Sequence, residues 1–366
     1  MRAARWFPHL VLACSLLLWA LPVKAQLYDL EGRIAEECGK AGFQRNGGCR
    51  VELPRGTLPI GPTKIGDCTK GSGGVQNSVT LVGQGPGMMT QVPRFPTAGT
   101  TIQYAGPAGQ PMLEVCGSYF SLRDVAMDGA GASHCLRITA NNAGSAISRS
   151  PEIEDVVLDG CGTAIEIEGT DHNDQIDLVN LERVVMRNVD RGYVQDSGQT
   201  VGNDFRLVES TARLRSYEIR GGSFVCRSCY AGQIGDSADY IGFYFTRSER
   251  QDGKNLAHHQ ATIETSHMEV RTGRFIVADH TGNRFPLNLR DNSFQQLCVP
   301  KPEDTTCEMT VVDVREDHPV LIHGNVFLGS NPTGKLPTPR MCSREGWRSS
   351  GNMVMRSSRQ IAWGCR

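Results

Sequence analysis

Four segments of the chain repeat one arrangement of apolar and polar positions without gaps. They are Ser121–Gly129, Glu152–Gly160, Asn180–Asn188 and Arg213–Gly221, with starts 31, 28 and 33 residues apart. Each is apolar at its second position (Leu122, Ile153, Leu181, Leu214) and its seventh (Met127, Leu158, Met186, Ile219). Each closes on glycine or asparagine, the residues that tolerate a left-handed turn. A second register links Ile219–Phe224, Leu289–Phe294 and Ile322–Phe327, with a weaker copy at Thr262–Glu269. Between these landmarks Cys135–Thr139 and Ala164–Glu168 alternate apolar and polar residues with period two, as strands do.

Short strands with tight turns, repeating near 30 residues, cannot bury a face alone. Stacked copies can, which is the logic of a solenoid. No repeat holds a ten-residue stretch with period 3.6, so helical repeats fit badly. A propeller would want about 40 residues per blade. The pattern predicts an all-β chain wound as a single parallel β-helix. Leu27, Leu30 and Ile34, stopped by Gly39, predict an amphipathic helix plugging its N-terminal end. Residues 50–60 and Val79–Gly85 follow as the first strands. Asn331–Pro339 is proline-rich and reads as a linker leaving the solenoid, since proline cannot donate to a ladder.

The N-terminus reads as an address. Arg2 and Arg5 precede the apolar run Leu10–Leu21, and Val23-Lys24-Ala25 offers a signal-peptidase site. The expected division is a signal peptide at 1–25 and a capping helix at 26–49. A β-helix domain at 50–330 and a basic tail or cap at 331–366 follow. From Lys335 onward seven Lys or Arg stand against one acid, an excess of 7 − 1 = 6. That tail is either a cap with solvated arginines or a hold on an acidic polymer or anionic envelope surface. Of 13 cysteines, Cys14 leaves with the leader, and 13 − 1 = 12 suits a disulfide framework in an exported chain. The sequence-close pairs are Cys38–Cys49, Cys226–Cys229, Cys298–Cys307 and Cys342–Cys365. The expected setting is periplasmic or extracellular, with no membrane span after cleavage. The formal charge of −1 gives no reason to expect a nucleic-acid partner, and a monomer is expected.

Leu53-Pro54-Arg55-Gly56-Thr57, then Val79–Gly85, Thr101-Ile102-Gln103 and the Asn-x-Phe turns at 292–294 and 325–327 together resemble the pectate-lyase-like superfamily. The likeness covers about residues 27–330. It implies a right-handed parallel β-helix, common in proteins that bind, cleave or epimerise polysaccharides, especially uronates; calcium enters by this resemblance only. The Asp-Asp, Gly-His-Gly and Arg-Ile-Lys motifs of polygalacturonase-like hydrolases are missing, as are the calcium-site and arginine motifs of pectate lyases. No activity transfers residue by residue, because fold does not imply function.

Stacking itself creates columns of charge, with neighbouring coils about 4.8 Å apart. The fourth repeat position aligns Asp124, Asp155 and Arg183, and the eighth aligns Asp128, Asp159, Arg187 and Arg220. Asp155, Asp159, Arg183 and Arg187 are the candidate catalytic groups. An arginine neutralises a uronate while a nearby base removes its C5 proton, and paired carboxylates alternatively serve glycoside hydrolysis. Asp124, Asp128 and Arg220 are candidate substrate contacts. Asp155–Arg183 and Asp159–Arg187 read equally well as cross-coil salt bridges. The polar stretch Asp190–Asp204 adds Tyr193, Asp196 and Asp204 as acid, base or ion ligands. Tyr240 and Tyr244, opposite Ile241, Phe243 and Phe245, are expected to face outward as sugar platforms. His258, His259 and His267, with Glu264 and Glu269, match no metal spacing, and no metal site is expected. The expectation is thus an exported lyase or epimerase acting on an acidic polysaccharide or envelope glycan. The alternative is a non-catalytic carbohydrate-binding or cell-surface structural protein.

Overall fold

In a computed structural model the chain is a right-handed parallel β-helix closed at its start by one α-helix. The structure describes residues 26–39, 48–66, 78–86, 99–116, 119–140, 151–169, 176, 178–196, 203–246, 258–279, 286–297, 309–314, 320–330, 339–342, 347–350, 353–355 and 362–363. The expected leader therefore lies outside the described residues. No helix among them is long and apolar enough to cross a membrane.

One coil can be followed along the strand Asn180–Asp196, which runs through all three faces of the helix. Asn180, Leu181 and Glu182 pair with Glu152, Ile153 and Glu154 on the first sheet. Val184–Arg187 pair with Val156–Asp159 on the second sheet. Arg191 to Asp196 pair with Thr163 to Glu168 on the third. A single left-handed residue makes the bend between the first two sheets: Asp124 (φ 56°), Asp155 (54°) and Arg183 (53°) in successive coils. Leu207, Ser228, Thr265 and Asp291 continue that column. Aspartate suits this conformation better than most residues, while leucine there is costly.

The first three sequence repeats align as read, Leu122 over Ile153 over Leu181 and Met127 over Leu158 over Met186. All six are fully buried. The fourth copy does not. Phe205, not Leu214, stacks on Leu181, and Leu214 is exposed. Ile219 instead pairs with Gln195 on the third sheet. Arg220 thereby leaves the Asp128–Asp159–Arg187 column. The second register is corrected in the same way. Cys226, Ile263, Leu289 and Ile322 form one column, and Ala231, Met268, Phe294 and Phe327 the next. The weak copy at Thr262–Glu269 is in place and Ile219 is not.

The core is a continuous interior stack. Tyr217 lies flat on Phe243 (centroids 4.5 Å apart) and Phe294 on Phe327 (5.3 Å), while Tyr193 meets Phe205 edge-on at 4.7 Å. Such pairs contribute about 0.5–1.5 kcal/mol each beyond area burial. The two Asn-x-Phe turns have a specific role inside the bend. Asn292 accepts from the Ser266 N–H (2.9 Å) and donates to the Ile263 carbonyl (2.8 Å). Asn325 accepts from the Asn292 N–H (2.9 Å) and donates to the Leu289 carbonyl (2.9 Å). These bonds satisfy backbone groups that the turn takes out of the ladder.

The capping helix Leu30–Cys38 starts on Asp29, whose Oδ1 accepts from the Gly32 N–H at 2.8 Å. Leu30 and Ile34 cover the first coil, but Leu27 precedes the helix and is exposed. Cys38–Cys49 ties helix to first strand, and Cys226–Cys229 clips the bend at Ser228, both as read from spacing. Cys135–Cys161, which joins two coils, was not foreseen, and Cys116 is disulfide-bonded as well. The pair Cys298–Cys307 falls outside the described residues, as does Cys365, the expected partner of Cys342. The expected departure of the chain after 330 is corrected. Pro339–Cys342, Trp347–Ser350 and Met353–Met355 extend the three sheets by further parallel pairing. Residues 331–338 themselves are outside the described set.

Candidate active site on the third sheet

The charged columns expected at the bend and on the second sheet are present, and they are knit together. Arg183 binds Asp155 through Nε–Oδ1 at 2.7 Å and Nη2–Oδ2 at 2.8 Å, and also reaches Glu154 and Glu182. These hydrogen bonds, led by Asp155, hold its guanidinium well above the ordinary value. Arg187 donates to Asp159 at 2.7 Å, and Asn188 donates to the other oxygen at 2.9 Å. Asp124 sits below this network. Partial burial raises its carboxyl above the usual range, with Asp155 and Glu154 adding to the rise and Arg123 and Arg183 opposing it. Asp128 accepts from Gln103 Nε2 at 3.2 Å.

Two of the three tyrosines face inward. Tyr193 is fully buried, its hydroxyl on Gln195 at 3.1 Å, and its phenol is driven far up by desolvation. Tyr240 is also fully buried, with its hydroxyl 2.7 Å from Ser216 Oγ. It precedes the strand Ile241–Phe245 and does not share that strand's alternation. Neither ring can stack on a polymer. Tyr244 does face outward, and the Arg215 guanidinium lies 5.2 Å from its ring centroid.

Tyr244 belongs to the third sheet, whose outer face departs most from the sequence reading. The alternation of Ala164–Glu168 is real, but its polar side is not solvated. Glu166 (9%), Glu168 (5%), Asp196 (0%) and Glu218 (5%) are all buried on this face. Burying carboxylates is costly unless cations accompany them, and arginines do. Arg137 donates to Glu168 (Nε–Oε2 2.9 Å) and lies 3.5 Å from both Glu114 and Glu166. Arg220 links Glu218 (2.8 Å) to Asp196 (3.0 Å). Burial alone would lower Arg220, but the two carboxylates outweigh it and hold it above its ordinary value. His134 Nε2 is 2.9 Å from Glu166.

Beside this lattice stands a column of cations. Arg191 and Arg215 are register partners on adjacent coils, and Arg274 follows across Ile241. Arg191 lies 3.7 Å from Glu218 and Arg274 3.1 Å from Asp313. Arg215 differs from both. Its bonds go to the carbonyls of Leu214 (2.7 Å) and Asp239 (2.5 Å), and no described carboxylate is within ion-pair distance. Desolvation pulls it below the ordinary guanidinium value; Arg274 and Arg191 add to that, while Glu218 and Tyr244 oppose it. It remains a cation at any working pH. An anion placed here relieves the repulsion among three arginines and gains charge-assisted hydrogen bonds.

Of the candidates read from sequence, the structure thus brings Asp196, Arg220 and Tyr244 to this face. Asp155, Asp159, Arg183 and Arg187 sit on the neighbouring faces. Arg191, Arg215, Arg274 and Glu218 were missed, because they converge only through the register of coils far apart in sequence. The described residues contain no group of three His, Cys, Asp or Glu side chains able to hold a metal ion. The carboxylates of this face are already held by arginines, so the calcium implied by the superfamily resemblance finds no suitable donor set there.

The sequence matches no family model. Among curated proteins, none matches its sequence. Solved structures are similar in fold. The A-module of the mannuronan C-5 epimerase AlgE4 from Azotobacter vinelandii is 14% identical, with a TM-score of 0.55, covering 93% of this chain and 94% of that one. DFA-IIIase from Arthrobacter chlorophenolicus A6, in complex with GF2, is 12% identical with a TM-score of 0.51, covering 92% and 93%. At such identities the likeness is one of fold: these are right-handed parallel β-helix proteins, as this chain is.

Proposed function

We propose that the protein is an exported enzyme acting on an acidic, uronate-bearing polysaccharide, as a lyase or epimerase, and that its site is the outer face of the third sheet. The observation that carries this reading is Arg215, a guanidinium with no described carboxylate partner, stacked on Tyr244 between Arg191 and Arg274. A substrate carboxylate completes that arrangement. Neutralising the carboxylate acidifies the C5 proton beside it, the common first step of β-elimination and C5 epimerisation. Tyr244 and Glu218 are register partners on adjacent coils next to Arg215, and are the groups in reach to move the proton. In elimination the electron pair expels the glycosidic oxygen at C4; in epimerisation a proton returns from the opposite face. The naming of one fold neighbour as a mannuronan C-5 epimerase supports this class of substrate. The disulfides suit an oxidising compartment, hence export.

A second reading, a non-catalytic binder of the same polymers, is favoured by one fact. Glu218, the nearest carboxylate, is buried and already engaged by Arg220 and Arg191 rather than open to a substrate proton. Incubating the protein with uronate polymers, and reading unsaturated sugars by absorbance and C5 epimers by proton NMR, separates the two. Product formation that disappears in Tyr244→Phe and Arg215→Ala supports the enzyme. Binding without any product supports the binder, and neither binding nor product removes the uronate reading.

A further inference from the structure

A second face of the solenoid carries a groove of about 430 Å³. It lies over the first sheet and is lined by Arg123, Glu152, Asn180, Glu182, Asp204 and Arg206 among others. Three of these form one column, Glu152 below Asn180 below Asp204. The charge balance here is the opposite of that at Arg215. Glu152 is met by Arg123 at 2.7 Å. Glu154 is met by Arg123 at 3.1 Å and by Arg183. Glu182 is met by Arg183, and Asp204 by Arg206 (2.6 Å) and Arg227 (2.7 Å). Every lining carboxylate has its arginine, so the groove has no charge left to offer a polyanion. What it offers is a dense set of fixed acceptors and donors.

The Asn180 amide is the exception to this pairing. It lines the groove between Glu152 and Asp204, yet it makes no hydrogen bond to any described residue. An amide keeps both a donor and an acceptor open, the pair a vicinal diol engages. Two exposed leucines flank these strands. Leu178 stands two residues before Asn180, and Leu207 directly follows Arg206. Both are in the left-handed conformation (φ 53° and 55°) and both are exposed, 49% and 56%. A leucine in that conformation is strained, and exposure forgoes the burial that would offset it. In sequence they flank the strands that line the groove, Leu178 before Asn180 and Leu207 at the bend after Arg206, and neither is itself a lining residue.

We infer that this groove is a second carbohydrate site, taking an uncharged sugar segment through Asn180 and the paired carboxylates and arginines around it. The inference rests on the groove alone and does not depend on the uronate reading of the third sheet. Because the ligand is uncharged, its binding resists salt, whereas uronate binding at Arg215 weakens as salt screens it.

The probes are neutral hexasaccharides of glucose, mannose and galactose, titrated into the full chain by calorimetry at low and high salt. The expected result is binding of at least one probe, unchanged by salt and unchanged in Arg215→Ala. Asn180→Trp fills the groove and should abolish it, and Asn180→Ala should weaken it roughly tenfold, the worth of about one lost hydrogen bond at the upper end of its range. Melting curves identify a variant that fails to fold, in which case the other substitution decides. No binding of any probe overturns the inference, as does binding that survives the loss of Asn180 or falls with Arg215→Ala. Failure here leaves uronate turnover intact, and failure of the uronate reading leaves this binding intact.

Discussion

Arg183 holds Asp155 by two parallel hydrogen bonds, 2.7 and 2.8 Å, with both residues at the left-handed bend of consecutive coils. The same guanidinium spans Glu154 and Glu182, which stack directly on one another. Like charges in register repel, so the arginine has a structural task at this position. Both partners are about one-third exposed, which keeps the net effect small. Arg183→Ala should lower the melting temperature slightly in low salt, with the loss shrinking as salt screens the three carboxylates. Uronate turnover should not change. Lost turnover with an unchanged melting curve would instead make Arg183 part of the site.

Asp124 occupies the same bend one coil earlier, and its carboxyl is raised chiefly by burial and then by Asp155 and Glu154. A carboxyl raised in the folded state holds its proton more tightly there than when unfolded. Its ionisation therefore costs stability as pH rises through the carboxylate range, and the cost persists above it. Asparagine removes the charge and accepts the left-handed conformation equally well. Asp124→Asn should melt higher than the parent at neutral pH, and the difference should vanish in acid. A variant that melts lower at neutral pH contradicts this.

Gly129 lies against the disulfide that joins two coils. A Cβ there would sit 2.1 Å from Cys161 Sγ and 2.9 Å from Cys135 Sγ. Gly129→Ala should prevent Cys135–Cys161 from closing. Thiol titration of the denatured variant should find two reactive groups more than in the parent, with a loss of about 2–4 kcal/mol. An unchanged thiol count would show that the turn simply moves aside.

Much of this fold is legible in the sequence, and the failures share a cause. Leu122, Ile153 and Leu181 could be aligned because each sits at one phase of an ungapped repeat, and register preserves that phase. Leu214 has the same local pattern, but the coil before it is of a different length, so the match is accidental. Tyr240 lies one residue before the strand that carries the alternation, so the phase of that strand does not extend to it. Glu166 and Glu168 show a different limit. Period two tells which side of a sheet a residue faces, not whether that side is open to water. Arg191, Arg215 and Arg274 are separated by 24 and 59 residues. Only the pairing of coils brings them together, and local sequence pattern does not reveal that pairing.

The central claim is that Arg215 holds a uronate carboxylate while its C5 proton is removed, and isotope exchange tests it most directly. The protein is incubated in heavy water with mannuronan, alginate and polygalacturonate, and deuterium at C5 or an unsaturated C4–C5 product is read by NMR. The account predicts exchange or elimination on at least one polymer, and its loss in Arg215→Ala with the melting temperature nearly unchanged. Undiminished exchange in that variant, or protium retained at C5 in every intact polymer, contradicts it.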